Sequence, residues 1–314
     1  MKELMAGAAR EERKHFSRIG FSFLALMAIY MGSSVVLGLV MGRLAQPPGA
    51  QGFAYIIGYA CLYGVAFPVA ILIAKKVPVG VNTPISGTGA SWFGLFLMCF
   101  CLSYLGGTAG NAVSGYVAWI SGGGFYAVTP ATQLTGTEGF YQWIYILVIV
   151  VVAPVVEELF FRKVLIDRLQ RYGQLFAVIV TAILFGLYHA NLVQLISGLL
   201  MGLALGYVYL STGKIGNTIA IHALNNLFGM TGSVLLATGG LFVAAILGYL
   251  ILAFVIAGGV KLISYRKRIR LDIRLLALPQ TGWGKIVLGN PGMILGLASA
   301  ITVYVLNLIA VSKI

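Results

Sequence analysis

Stretches of about 20 apolar residues recur along almost the whole chain, and an α-helix of that length spans the hydrocarbon core of a bilayer. Of the 314 residues, 60% are hydrophobic and 9% are charged. A soluble domain of this size cannot bury so much apolar surface, so membrane helices account for the composition better than a water-soluble core. The sequence therefore predicts an all-α fold, a polytopic membrane bundle of eight or nine transmembrane helices.

Glycine, proline and polar breaks divide the apolar stretches into separate spans. The nine predicted spans are 18–42, 53–74, 92–120, 141–161, 175–190, 192–211, 216–236, 241–261 and 286–311. The first span is longer than the core of a signal peptide, and no clear small-residue cleavage site follows it. We therefore expect it to be a retained helix.

The basic residues predict the orientation. With the N-terminus in the cytoplasm, 19 of the 21 Lys and Arg residues fall on the cytoplasmic side, and only Arg43 and Lys313 fall outside. The net charge of +13 then reflects membrane topology. The basic run 265–274 is expected to face anionic lipid, so no nucleic-acid partner is predicted.

Two adjacent acids, Glu157 and Glu158, end an apolar run in a chain with eight acidic residues. Carboxylates at membrane depth are costly and mark a candidate functional site. Glu158 and Arg162 are four residues apart, so a helix places them on one face where they can pair. Glu157 points about a quarter turn away and lacks that partner. We interpret Glu158 as structural and Glu157 as chemical.

Two histidines and an asparagine are further candidate site residues in the predicted spans. Glu157 and His189 are each 16 residues from Gly173, so an antiparallel hairpin that turns there places them at the same depth. His222 and Asn226 are four residues apart and share one helical face. The asparagine before Asn226 points elsewhere. These four polar residues are therefore predicted to converge inside the bundle.

Three motifs in this order resemble those of the CPBP family, the CAAX proteases and bacteriocin-processing enzymes that include the Ras-converting CAAX endopeptidase. They are Glu157-Glu158-x-x-x-Arg162, Phe185-x-x-x-His189 and His222-x-x-x-Asn226. The resemblance covers spans four to seven, and a ninth span departs from the eight expected of a typical member. We divide the chain into N-terminal helices (1–140), core helices that carry the motifs (141–237) and C-terminal helices (238–314).

The resemblance implies an intramembrane endopeptidase without a metal or other cofactor. Glu157 and His189 would activate a water, and His222 and Asn226 would donate hydrogen bonds to the oxyanion. Glu158 and Arg162 would support the site. The substrate would be a membrane-associated or lipidated peptide or protein, and cleavage would be of CAAX type if the host prenylates proteins.

Two other interpretations stay open. Glu157, His189 and His222 could bind a catalytic zinc, although His-Glu-x-x-His is absent and Asn226 is a poor zinc ligand. Transporters also place Glu, His and Asn at mid-membrane depth, although no internal repeat is visible. A membrane transporter or a non-catalytic scaffold is therefore the alternative from another class.

Overall fold

The computed structural model is mostly helical, with short turns between helices, in the part of the chain that it describes. It describes residues 2–41, 50–80, 85, 89–121, 139–238, 240–272, 278 and 282–311. The helices are α1 (Lys2–Met41), α2 (50–74), α3 (Trp92–Ser121), α4 (Phe140–Tyr172), α5 (Gln174–Tyr188), α6 (Leu192–Thr212), α7 (Ile215–Thr238), α8 (Gly240–Tyr265), the short α9 (Trp283–Val287) and α10 (Pro291–Val311). The predicted all-α bundle is confirmed.

The nine long helices among these residues coincide with the nine predicted spans. Six of them, α1, α2, α3, α4, α6 and α8, are long and apolar enough to cross a membrane. The apolar stretches of α5 and α10 are shorter, and α7 is interrupted by polar residues such as His222 and Asn226. The chain is thus an integral, multi-pass membrane protein.

Two helix boundaries differ most from the prediction, and α10 begins at Pro291 rather than at residue 286, because the short α9 precedes it. Helix α1 begins at Lys2 rather than at residue 18, and its basic segment contacts the rest of the bundle: Arg13 Nη2 donates to the Gly289 carbonyl at 2.6 Å. Helix α4 continues to Tyr172 rather than ending at 161. The helix takes in basic residues beyond 161, and one of them, Lys163, pairs with Asp167 at 2.9 Å.

Close packing against small residues positions α6, which forms one wall of the interior. Helices α3 and α6 approach so closely at Gly106 that a Cβ atom there would lie 2.7 Å from the Cα of Ser197. One turn later, a Cβ on Gly110 would lie 2.6 Å from the carbonyl oxygen of Val193. Small residues at such crossings let membrane helices pack without a hydrophobic driving force.

Three π-helical segments interrupt α2 and α4. They cover Leu62–Ala66, Val148–Val152 and Leu159–Ile166, so the second and third flank the short α-helical piece that holds the two glutamates. Wider π turns of this kind are rare and occur often at functional sites. They rotate the helix face locally and thereby change which side chains point into the bundle.

Helices α4 and α5 form the predicted hairpin around Gly173. This residue has φ +122° and ψ 144°, a conformation suited to glycine, and it separates the end of α4 from the start of α5. The membrane side of this turn and of the N-terminus stays a prediction, as does the three-part division of the chain. Arg43 and Lys313, the two basic residues assigned outside, lie beyond the described residues.

Candidate active site

One cavity of about 500 Å³ brings together the four residues predicted to be catalytic. Glu157, His189, His222 and Asn226 all line it, whereas Glu158 and Arg162 lie behind its wall. The other lining side chains are mainly Tyr, Ser, Asn, Gln and Met residues, and all of the helices from α1 to α7 contribute to the lining. The hairpin around Gly173 thus places Glu157 and His189 on the same cavity, as predicted.

Glu157 is buried, with 3% of its surface exposed, and its two oxygens have different surroundings. Oε1 accepts hydrogen bonds from the hydroxyls of Tyr63 at 3.0 Å and Tyr188 at 2.7 Å. Oε2 lies 3.8 Å from Nε2 of His222, which is beyond hydrogen-bonding distance. One oxygen is therefore held by two donors, and the other is free to act on a ligand.

Glu158 points away from the cavity and pairs with Arg162, as the helical period predicted. Its Oε1 lies 2.9 Å from Arg162 Nη1, and both side chains are almost completely buried. The Arg162 guanidinium also lies over the Phe185 ring, with 4.5 Å between Cζ and the ring centroid. The pair therefore links α4 to the first residue of the second motif.

His189 follows directly after α5 and its ring orientation is fixed by its own helix. Nδ1 lies 2.7 Å from the Phe185 carbonyl oxygen. A carbonyl only accepts, so Nδ1 carries the hydrogen and Nε2 of the neutral ring is an acceptor. The next residue, Ala190, has φ +58°, a left-handed conformation that is uncommon outside glycine. This tight turn keeps the histidine at the cavity and lets α6 begin at once.

His222 lies between the two glutamates. Its Nδ1 is 2.9 Å from Glu158 Oε1, and its Nε2 faces Glu157 Oε2 at 3.8 Å. Since the carboxylate accepts, Nδ1 carries a hydrogen here as well. The sequence did not predict this contact, because it depends on how α7 is rotated against α4. Glu158 is thereby connected to the cavity through His222.

Asn225 and Asn226 of α7 both line the cavity. Asn226 Nδ2 donates to the Ile149 carbonyl at 3.0 Å, a carbonyl in the π-helical segment before the glutamates. Asn225 Nδ2 donates to Ser103 Oγ at 2.9 Å. Asn226 keeps a second amide hydrogen for a ligand. The helical period predicted that Asn225 points elsewhere, but its position in the cavity makes it a further ligand-contacting candidate.

Tyr63 and Tyr188 are the main site residues that the sequence did not predict. Tyr188 precedes His189 directly, so its place beside a motif histidine was an available signal. Tyr63 is 94 residues from Glu157 and has no motif around it. Only the packing of α2 against α4 and α5 brings its hydroxyl to the carboxylate.

Glu157, His189 and His222, the ligands of the zinc alternative, all line the cavity. Within the described ranges, no three His, Cys, Asp or Glu side chains are placed to hold one metal ion. His222 directs Nδ1 to Glu158, and Asn226 directs its amide to a carbonyl.

Comparisons with known proteins agree with the motif assignment. Residues 139–228 match the family model described as type II CAAX prenyl endopeptidase Rce1-like. The chain is also 32% identical over 84 residues to the candidate membrane peptidase YdiL of Bacillus subtilis (strain 168). That match covers 26% of this chain and 34% of YdiL, so the chain spans about a third of this relative. No solved structure matches the chain.

The matched segment begins at the start of α4 and ends in α7, and so it contains all three motifs. It leaves out Tyr63, Ser103 and the rest of the cavity wall that α1, α2 and α3 contribute. The resemblance to this family that the motifs indicated is confirmed: residues 139–228 are similar to the Rce1-like CAAX prenyl endopeptidases.

Proposed function

We propose that this protein is an intramembrane endopeptidase that hydrolyses a peptide bond of a membrane-associated or lipidated substrate. The observation that carries the proposal is the environment of Glu157. It is a buried carboxylate on a cavity, held through Oε1 by two hydroxyls, with its second oxygen near His222. Such an arrangement suits a general base, which must present one defined oxygen to a water.

In the first step, a water lies between Glu157 Oε2 and His189 Nε2 and attacks the carbonyl carbon of the scissile bond. A new C–O bond forms, the carbonyl electron pair moves to its oxygen, and the water proton passes to Glu157 Oε2. His189 orients the water through Nε2, since its Nδ1 hydrogen is committed to Phe185. These separate roles follow from the hydrogen bonds that each side chain already makes.

His222 and Asn226 stabilise the oxyanion. Nε2 of His222 can donate only if the ring is protonated on both nitrogens, because Nδ1 carries the hydrogen shared with Glu158. A ring protonated on both nitrogens would add its positive charge to that of Arg162, opposite the carboxylates of Glu157 and Glu158. Asn226 adds its second amide hydrogen. Loss of one such donor costs about 3 kcal/mol of barrier.

In the second step, the oxyanion collapses and the C–N bond breaks. The proton held by Glu157 passes to the leaving amine nitrogen, so the carboxylate is regenerated and one water is consumed per cleavage. Glu158 and Arg162 take no part in proton transfer. They hold His222 at its Nδ1 and neutralise charge within the bundle.

The site and the matching family both support a lipidated or membrane-associated peptide as the substrate. Apart from Glu157 and the two histidines, the described lining is uncharged, and its amides and hydroxyls suit an extended peptide backbone. The matching family is described as CAAX prenyl endopeptidases. A prenylated peptide is therefore the first substrate to test, and peptide precursors or membrane-anchored regulators are the candidates in a host without prenylation.

The deciding experiment compares purified protein with its Glu157→Gln variant on prenylated CAAX-type peptides and on membrane-associated peptides of the host, with products identified by mass spectrometry. We expect cleavage by the unmodified protein and none by Glu157→Gln, which keeps the shape but loses the base. Glu11→Gln, a change at an exposed acid on α1, is the matched control and should cleave normally. Normal activity of Glu157→Gln would overturn the proposal, and the absence of any cleavage would favour a transporter or scaffold.

A further inference from the structure

Two tyrosine hydroxyls converge on a single oxygen of the candidate base. Tyr63 from α2 and Tyr188 from α5 donate to Glu157 Oε1 at 3.0 and 2.7 Å, and the two hydroxyl oxygens are 3.4 Å apart. A carboxylate oxygen can accept two such bonds, and each bond to a charged acceptor is stronger than one to a neutral group. Neither bond reaches Oε2.

Aromatic packing fixes both hydroxyls. The Tyr63 ring is stacked on Phe67, with centroids 5.7 Å apart, and Tyr188 meets the same Phe67 ring edge-on at 5.5 Å. Phe161, on the α4 segment after the glutamates, contacts Tyr188 at 5.8 Å. Neither ring can turn its hydroxyl away without displacing this cluster, so the donors are oriented before a substrate arrives.

We propose that Tyr63 and Tyr188 are positioning residues, which hold the Glu157 carboxylate in one orientation so that Oε2 is the oxygen that takes the proton from water. This inference rests on the proposed function. Without the two donors the carboxyl group could rotate, and either oxygen could turn toward His222. A base displaced in this way loses rate because the reacting atoms are no longer aligned.

The site thereby extends beyond the matched family segment. Tyr63 lies on α2, outside residues 139–228, and its neighbourhood contains a π-helical segment that covers Leu62–Ala66. This wider turn places Tyr63 toward the cavity between Leu62 and Phe67, which both pack in the core. Helix α2 therefore contributes to the reaction itself and not only to the wall.

A purely structural role is the competing explanation, and the chain offers a matched comparison. Tyr209 donates to Asp167 Oδ1 at 2.7 Å, and both of these residues are buried. This bond has the same length and chemistry as that of Tyr188 to Glu157, but it does not lie on the cavity. Tyr209→Phe thus measures what loss of a buried tyrosine–carboxylate bond does to stability alone.

The test measures kcat, KM and melting temperature of full-length protein in one membrane mimic for Tyr63→Phe, Tyr188→Phe, the double variant and Tyr209→Phe. We expect each cavity variant to lose about tenfold or more in kcat with KM changed less than about twofold, since positioning of the base acts on the chemical step. The loss in kcat of the double variant should differ from the product of the two single losses, because both donors share one oxygen. Tyr209→Phe should lower the melting temperature and keep kcat.

Glu157→Gln in the same assay separates failure of the positioning role from failure of the proposed function. If Glu157→Gln is inactive while Tyr63→Phe and Tyr188→Phe keep the kcat of the unmodified protein, the positioning role is wrong and the proposed function stands. If Glu157→Gln is active, the proposed function is wrong, and the positioning role that rests on it is wrong as well. If Tyr188→Phe does not fold, the kcat of Tyr63→Phe decides the positioning role, because the Tyr63 ring is only partly buried and its loss of one hydroxyl is better tolerated.

Discussion

The imidazole of His222 donates from Nδ1 to Glu158 Oε1 at 2.9 Å. The second glutamate of the pair is therefore bound to the histidine that faces the first. Glu158 also forms a buried ion pair with Arg162. Glu158, which the sequence indicated to be structural, thus also holds the proposed oxyanion donor His222 through one hydrogen bond.

Glu158→Gln is expected to damage both stability and activity. The change leaves Arg162 as an uncompensated buried charge and weakens the acceptor of His222. Breaking a buried pair costs about 3–5 kcal/mol, so thermal stability in detergent should fall clearly. Activity should fall even in the fraction that stays folded, which is measured by normalising cleavage to folded protein.

Lys163→Ala is the control for this change. Lys163 and Asp167 have the same four-residue spacing on the same helix and the same 2.9 Å distance, but the Lys163 side chain is 55% exposed. Exposed pairs contribute about 0–1 kcal/mol, so this variant should behave almost like the unmodified protein. Equal losses of stability and activity in Glu158→Gln and Lys163→Ala would contradict the larger contribution expected of the buried pair.

The oxyanion assignment predicts a specific kinetic signature. His222→Ala and Asn226→Ala should each lower kcat more than they raise KM, because these donors act mainly in the transition state. A loss of about a hundredfold in kcat is expected for one donor. Asn225→Ala, one position away, should affect KM at least as much as kcat if Asn225 only contacts substrate. A larger loss of kcat in Asn225→Ala than in Asn226→Ala would assign the oxyanion donor to Asn225 instead.

Local periodicity accounts for what the sequence predicted. The four-residue spacing gave the Glu158–Arg162 pair, and the equal distances from Gly173 placed Glu157 and His189 at one depth. The contacts of Tyr63 with Glu157 and of His222 with Glu158 join residues far apart in sequence. They depend on helix rotation and on π-helical turns, which arise from packing and leave no periodic pattern.

The predicted membrane orientation can be tested by labelling of introduced cysteines from outside the cell. Gly173 itself is a poor site for cysteine because its φ is +122°, so Lys214, exposed in the turn before α7, is the better position. In a background without the native cysteines, Lys214→Cys should react only with reagents that enter the cell. Phe140 begins α4, at the end of the helix away from Gly173. Phe140→Cys should therefore react with reagents that do not cross the membrane. The reverse pattern would invert the predicted orientation.

The last prediction concerns metal dependence. If Glu157 and His189 activate water directly, prolonged chelation of the purified protein should leave cleavage unchanged, and elemental analysis should find zinc well below one equivalent in active protein. The hydrogen bonds of His189 Nδ1 to Phe185 and of His222 Nδ1 to Glu158 orient both rings in either mechanism, so metal content and cleavage are measured on the same preparation.

A zinc enzyme would give a different set of results. One equivalent of zinc would co-purify, its removal would abolish cleavage, and added zinc would restore it. The Glu157→Gln and His189→Ala variants would then lose bound metal together with activity, whereas the water-activating mechanism predicts that they lose activity alone. Stoichiometric metal that disappears in these variants would make Glu157, His189 and His222 ligands and would replace the proposed mechanism.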